Sequence, residues 1–156
     1  MLKTINDLVK NRKEIYSVKA DSSLRQAAKY MRDKNVRAVC VMDEWSHLAG
    51  ILSEWDLVQA IAGECDADQT KVAAVMSRNP MTTDLAATYS ECLATMLGND
   101  FQHLVVQEKT NPDGKIWGTV ALGDLLKLDR DEKGKLMEQY KSFLALYDKM
   151  LDFGHF

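Results

Sequence analysis

No apolar stretch in this chain of 156 residues approaches the roughly 18 residues that a membrane-crossing helix needs. The N-terminal Met-Leu-Lys-Thr-Ile-Asn-Asp-Leu has no signal-peptide core, so the cytoplasm is the expected location and no membrane partner is expected. Cysteine is scarce: Cys40, Cys65 and Cys92 are scattered, with no Cys-x-x-Cys pair, a pattern of reduced thiols that excludes a disulfide framework or zinc ribbon. His47, His103 and His155 have no metal-ligand spacing, and no metal is expected. No P-loop, Gly-x-Ser-x-Gly or His-Glu-x-x-His is present, and no pair of carboxylates is placed for acid–base work, so the chain is not expected to be an enzyme and needs no catalytic cofactor. An excess of basic charge is missing too. Twenty Lys and Arg stand against 23 Asp and Glu, a net charge of −3, which argues against a general nucleic-acid binder.

What is present is an internal repeat. Val41 and Val106 are 65 residues apart, as are Met31 and Met96, and Ala27 and Cys92. Gly50 and Gly118 are 68 apart, as are Asp56 and Asp124, and Leu57 and Leu125. The offset changes between Val41 and Gly50, where copy two carries Asn111-Pro112-Asp113-Gly114, a turn sequence that predicts a longer hairpin loop. Copies of about 65 residues are near the lower limit for independent cores, so the two are expected to share one.

Both copies predict the same order of elements. In copy one, Tyr16 to Val18 is extended, and a helix runs from Asp21-Ser22-Ser23 to Lys34 with Leu24, Ala27, Ala28 and Met31 on one face. Val36 to Met42 and Leu48 to Leu52 are strands, and Ser53 or Glu54 opens a helix to about Ala62. In copy two, Met81 to Thr83 is extended, Ser90 to Leu97 is helical, His103 to Gln107 and Ile116 to Val120 are strands, and Leu122 to Leu128 starts a helix. Cys40 and Cys92 fall on buried faces and read as core residues. A short helix over Thr4 to Asn11 precedes the repeat, and a helical piece, Thr70 to Met76, precedes the turn Arg78-Asn79-Pro80. The domain boundaries expected are a lead-in at 1–14, repeat one at 15–63, a linker at 64–80, repeat two at 81–128, and a C-terminal helix at 129–156. That helix is amphipathic, with Leu136, Tyr140, Phe143, Leu144, Tyr147, Met150 and Leu151 on one stripe, either a face packed on its own domain or a dimer contact.

Strand, helix, strand, strand, helix, twice, with a Gly-h-h-Ser-x-x-Asp ending, resembles the CBS-domain family, and two tandem copies resemble a Bateman module. The residues that carry the likeness are Gly50-Ile51-Leu52-Ser53-Glu54-Trp55-Asp56 and Gly118-Thr119-Val120-Ala121-Leu122-Gly123-Asp124, with the strands Val36 to Val41 and Phe101 to Val106. Proline is usual in the family where Cys40 and Val105 stand. The resemblance covers residues 15 to 128. It implies an α+β fold, β-α-β-β-α repeated twice about a pseudo-twofold axis, followed by the C-terminal amphipathic helix. It also implies an adenosine-containing ligand between the copies (AMP, ADP, ATP, sometimes NAD or S-adenosylmethionine).

A carboxylate at a helix start can accept hydrogen bonds from both hydroxyls of a ribose, as acidic residues do in dinucleotide folds. Ser53 and Asp56 are the ribose candidates of copy one, and Asp124 that of copy two, where Ala121 has lost the hydroxyl. Both are also ordinary helix-capping residues. Strand ends such as Val36 and Val39 can clamp an adenine while the backbone around Tyr16 to Ala20 reads its edge. The adenine candidates are therefore Tyr16, Ser17, Val18, Ala20, Val36, Ala38 and Val39. Arg37, Gln102 and His103 occupy positions that often meet phosphate in the family. Trp55 stands where relatives often carry arginine. The function expected is a regulatory sensor: an adenine nucleotide bound mainly at Asp56, a homodimer, and an unidentified regulated protein as partner. The rival is a ligand-free dimerisation or interaction module.

Overall fold

The computed structural model describes residues 3–110, 114–131, 138, 141–146 and 149. The expected loop Asn111-Pro112-Asp113 lies outside them, as do Leu136, Tyr140, Tyr147, Met150 and Leu151 of the C-terminal stripe. Within that stripe, Phe143 and Leu144 lie in a described helical stretch and are exposed.

The elements run α1 (Ile5–Val9), β1 (Ser17–Lys19), α2 (Leu24–Lys34), β2 (Ala38–Met42), β3 (Leu48–Ser53), α3 (Glu54–Ala62), a 3₁₀ turn (Val72–Ala74), β4 (Ser77–Arg78), β5 (Thr82–Thr83), α4 (Tyr89–Asn99), β6 (His103–Gln107), β7 (Ile116–Ala121) and α5 (Leu122–Asp131). This is the expected α+β repeat, written twice. One sheet has the order β1-β2-β3-β4 and the other β5-β6-β7. In each, the first strand pairs parallel to the second, and the next two form an antiparallel hairpin.

The repeat extends to single hydrogen bonds. Ser23 caps α2 and Thr88 caps α4, each with a glutamine or glutamate three residues on that reaches back to the cap. Both helices end on a left-handed residue, Asn35 (φ 54°) and Asp100 (φ 55°), types that tolerate this conformation. Val36 N then donates to Met31 O, and Phe101 N to Met96 O. That closure keeps Val36 out of the strand predicted to begin there, and β2 starts at Ala38. Both hairpins carry a register irregularity at matched places, Val41/Met42 and Val106/Gln107.

The packing departs from one shared core. Leu24, Ala27, Met31, Val39, Val41, Leu52 and Val72 form a core in repeat one, and a second, containing Cys92, Leu93, Met96, Leu104, Val106, Val120 and Leu125, fills repeat two. A smaller cluster of Cys40, Val105 and Ile116 joins the sheets. Cys40 is therefore sealed, and burial pushes its thiol up to about 12. Burial also raises the Cys92 thiol, which lies 3.1 Å from Thr83 Oγ1.

Each core is completed by a segment from outside its own repeat. Ile5 and Val9 of α1, which precede repeat one, are buried in repeat two. Val72, between the repeats, is buried in repeat one. The two segments dock alike: Ile5 N donates to Ala87 O and Asn6 N to Leu85 O, while Val72 N donates to Ser22 O and Ala73 N to Ala20 O. The N-terminal helix and the linker are thus structural counterparts.

Candidate functional site

Two clefts open between the repeats, related by the pseudo-twofold axis. The first, of about 830 Å³, contains Ser53, Glu54, Trp55 and Asp56 on one side and the linker and repeat two on the other, through Met81, Asp100 and Phe101. The second, of about 740 Å³, contains Asp124 with the lead-in residues Arg12, Lys13 and Tyr16, and Val36, Arg37 and Ala38 of repeat one. Gln102 and His103 line both.

In the Asp56 cleft, β3 ends at Ser53, which caps α3. Asp56 Oδ2 accepts hydrogen bonds from the Ser53 amide (2.8 Å) and hydroxyl (3.0 Å), and Ser53 Oγ accepts from the Asp56 amide at 3.3 Å. The capping role of this pair is therefore a structural fact. It leaves acceptor capacity on a carboxylate that has about four lone-pair sites, at a helix end whose dipole favours negative charge. Trp55 is 62% exposed, and Met81 and Phe101 across from it are also exposed.

In the Asp124 cleft, Asp124 Oδ2 accepts only one of the equivalent bonds, from the Ala121 amide at 2.9 Å. An arginine supplies what copy two lacks. Arg12 Nη1 donates to Thr119 O at 2.6 Å and Trp117 O at 3.4 Å, and Nη2 lies 3.9 Å from Asp124 Oδ2. Gly118 has φ +96°, and a Cβ there would lie 3.3 Å from Arg12 Nη1, so glycine both allows the backbone turn and admits the guanidinium.

The wall between the clefts holds Arg37, Gln102 and His103. Arg37 Nη1 lies 3.9 Å from Glu54 Oε1, with both side chains largely exposed, so the pair contributes little energy. Burial lowers the pKa of His103, Glu54 and Asp124 oppose that shift, and Arg37 reinforces it.

The fold does not bring all the expected site residues together. Tyr16, Val36 and Ala38 line the same cleft as Arg37, but their carboxylate is Asp124, not Asp56. The packing of β2 against β6 and β7 is the reason: each carboxylate faces the other repeat's entry. Ser17, Val18 and Ala20 are not in that lining; Val18 and Ala20 pack against the core of repeat one, and Val39 is fully buried in it. Arg12, Lys13 and Lys127, and Met81 and Phe101 of the opposite cleft, escape the sequence argument. The matched pair Ile5 and Val72, 67 residues apart, is a signal that the lead-in repeats the linker and borders a cleft.

The CBS domain model matches residues 5–63 and 72–131. The chain belongs to the CBS-domain family. This CBS pair is 30% identical over 132 residues to an uncharacterised 17.7 kDa protein of Acidianus ambivalens, covering 82% of the chain and 77% of that relative. A CBS-domain protein from Agrobacterium tumefaciens has a similar structure, with TM-score 0.73 at 28% identity, over 82% of this chain and 94% of that one. A CBS-domain protein of Pyrobaculum aerophilum, solved in complex with AMP, shares the fold at TM-score 0.70 and 18% identity, over 78% of this chain and 89% of that one. Against several larger curated relatives the CBS pair spans only 14% to 24% of their length. Among the described residues no helix is long and apolar enough to cross a membrane.

Proposed function

We propose that this CBS pair is a regulatory module that binds an adenosine-containing nucleotide between its repeats and transmits occupancy to a separate protein. The observation that carries the reading is the pair of clefts, each with a helix-N-terminal carboxylate, Asp56 or Asp124, facing the other repeat's entry segment. In the Asp124 cleft the carboxylate holds the ribose diol, Tyr16, Val36 and Ala38 flank the base, and Arg37 and Arg12 meet phosphate. In the Asp56 cleft Ser53 and Asp56 take the ribose, and Met81 and Phe101 flank the base. The AMP complex of the Pyrobaculum relative supports the ligand class.

Transmission follows from the location of the clefts. A ligand that touches both repeats favours the arrangement in which they are closest, and the shift is limited by its differential affinity for the two arrangements. Trp55, Val58 and Ile61 project from α3 as an exposed apolar row, which favours a second copy as the immediate neighbour.

Thermal unfolding with AMP, ADP, ATP, NAD and S-adenosylmethionine tests the reading. A ligand at 100 times its dissociation constant adds about 2.7 kcal/mol of stability. No shift with any of them at millimolar concentration favours the ligand-free interaction module instead.

A further inference from the structure

The two clefts share a geometry but not a charge. Four cations line the Asp124 cleft, Arg12, Lys13, Arg37 and Lys127, against two anions, Glu14 and Asp124, an excess of two positive charges. Glu14 is engaged by Lys34 Nζ at 2.8 Å, so Asp124 is the anion left facing those four cations. In the Asp56 cleft the balance is reversed: the lining holds Glu54, Asp56 and Asp100 against Arg78, an excess of two negative charges, which Arg37 of the other cleft offsets only weakly through its exposed 3.9 Å approach to Glu54. Arg78 is turned toward the Ala73 carbonyl, 3.5 Å away. The Asp56 cleft also has large apolar side chains, Trp55, Val58, Met81 and Phe101, exposed along it.

We infer that the clefts sort adenosine compounds by phosphate: the Asp124 cleft takes a phosphorylated nucleotide, and the Asp56 cleft takes a nucleoside without phosphate. This rests on the nucleotide-binding reading above and assigns a ligand class to each of its sites. Coulomb energies separate the two clefts. Both clefts offer a carboxylate to a ribose diol, so the sugar and base do not distinguish them. A phosphate carries about two negative charges at neutral pH. In the Asp56 cleft it would enter a field set by three carboxylates, opposed by Arg78 in the lining and by the exposed Arg37 beside Glu54. In the Asp124 cleft it meets Arg12, 3.9 Å from the carboxylate and within the span of a nucleotide held there by its ribose. Clefts of one sign focus the field of their walls and enrich ligands of the opposite sign. A nucleoside pays no such penalty in the Asp56 cleft, where its base gains apolar and aromatic surface. An arginine in place of Trp55 would add a second cation to this lining; tryptophan leaves Arg78 as its one cation.

The test is calorimetric titration of the full chain with AMP and with adenosine, which differ only in the phosphate, in the wild type, Asp56→Asn and Asp124→Asn. AMP is expected to lose roughly tenfold affinity or more in Asp124→Asn and to be little changed in Asp56→Asn, and adenosine the reverse. Raising salt weakens AMP binding and leaves adenosine binding nearly constant. Because Asp56 also caps α3, the double variant Lys13→Gln/Lys127→Gln gives an arm that leaves both caps intact. It is expected to weaken AMP several-fold and leave adenosine unchanged. If both compounds respond to the same carboxylate, or if AMP binds and adenosine does not, the sorting is overturned while the nucleotide-binding reading stands. If neither compound binds, both are overturned.

Discussion

The third strand of each repeat poses the same problem, and the two repeats solve it differently. In repeat one, β3 is covered by backbone: β4 pairs with it through Gly50–Arg78 and Ile51–Ser77. In repeat two, β7 is the sheet edge among the described residues, and the counterpart of the linker, just after α1, makes no strand against it. Arg12 N instead turns back to Val9 O, and the Arg12 guanidinium donates to the Trp117 and Thr119 carbonyls. An edge strand left bare is a template for unwanted pairing, and a charged side chain laid along it removes that hazard. The substitution of a side chain for a strand also places a cation in one cleft and not in the other. Duplication supplied two similar clefts, and this local difference contributes to their opposite charge.

The glycines that admit the two covers give the largest expected difference. A Cβ on Gly50 would lie 2.5 Å from the Ser77 carbonyl oxygen and 2.9 Å from Met76 Sδ. Backbone cannot move aside without breaking β4, so Gly50→Ala is expected to cost about 2–3 kcal/mol. Gly118→Ala meets the flexible end of Arg12 and, at ordinary contact distance, the Ile15 side chain, but its positive φ strains any other residue, at about 1–2 kcal/mol. Chemical denaturation of both variants ranks them. Gly118→Ala proving the worse would mean that Arg12 is held as rigidly as a strand.

Removing the side-chain cover itself comes next. Arg12→Ala leaves two carbonyls of β7 to water and Asp124 without its neighbour, an expected loss of about 1–2 kcal/mol. Arg12→Lys should recover only part, since an ammonium lacks the planar fork that reaches two carbonyls. A denaturation midpoint unchanged in Arg12→Ala would show that water covers the edge as well as the guanidinium does.

The repeat made most of this fold legible from residues alone. Alternation and helical spacing locate β2, β3, β6, β7 and the helices, because each half-buried element repeats its pattern 65 or 68 residues later. What sequence could not show is how the two repeats pack against each other. Tyr16 and Val36 lie nearer in sequence to Asp56 than to Asp124, so proximity along the chain suggests the wrong cleft partner. The two-residue strand β4 is hidden by Arg78-Asn79-Pro80, which reads as a turn, because so short a strand has no periodicity to detect. Arg12 is hidden for a related reason: a lone arginine on a lead-in has no pattern, and its role arises because no strand among the described residues covers the outer side of β7.

The helix caps offer a smaller contrast. Ser53 completes a reciprocal cap with Asp56, whereas Ala121 contributes only its amide to Asp124. Ser53→Ala is expected to cost about 1 kcal/mol, and Ala121→Ser to add about 0.5–1 kcal/mol by restoring the missing hydroxyl. Either single variant makes the repeats alike at this position and the combination reverses the difference, so thermal melts of all three check the contrast. If Ala121→Ser is destabilising, the α5 terminus does not have the geometry of α3, and the equivalence of the two carboxylates fails with it.

The smallest effect belongs to the residue that the two clefts share. His103 stands on the wall between them, where burial holds its pKa below the ordinary 6.5, aided by Arg37 and opposed by Glu54 and Asp124. The sign of the pH dependence follows. Above 6.5 the imidazole is neutral in both folded and unfolded chains, and its contribution to stability is fully present. As pH falls below 6.5 the unfolded chain takes up a proton that folded His103 resists, so stability declines until the depressed folded pKa is reached. The slope from this one group cannot exceed about 1.4 kcal/mol per pH unit. Urea denaturation at pH 7.5 and 5.5 should therefore show a larger decline in the wild type than in His103→Gln, with His47 and His155 cancelling in the difference. A decline as large in the variant would place His103 in water, and with it the wall that keeps the two clefts apart.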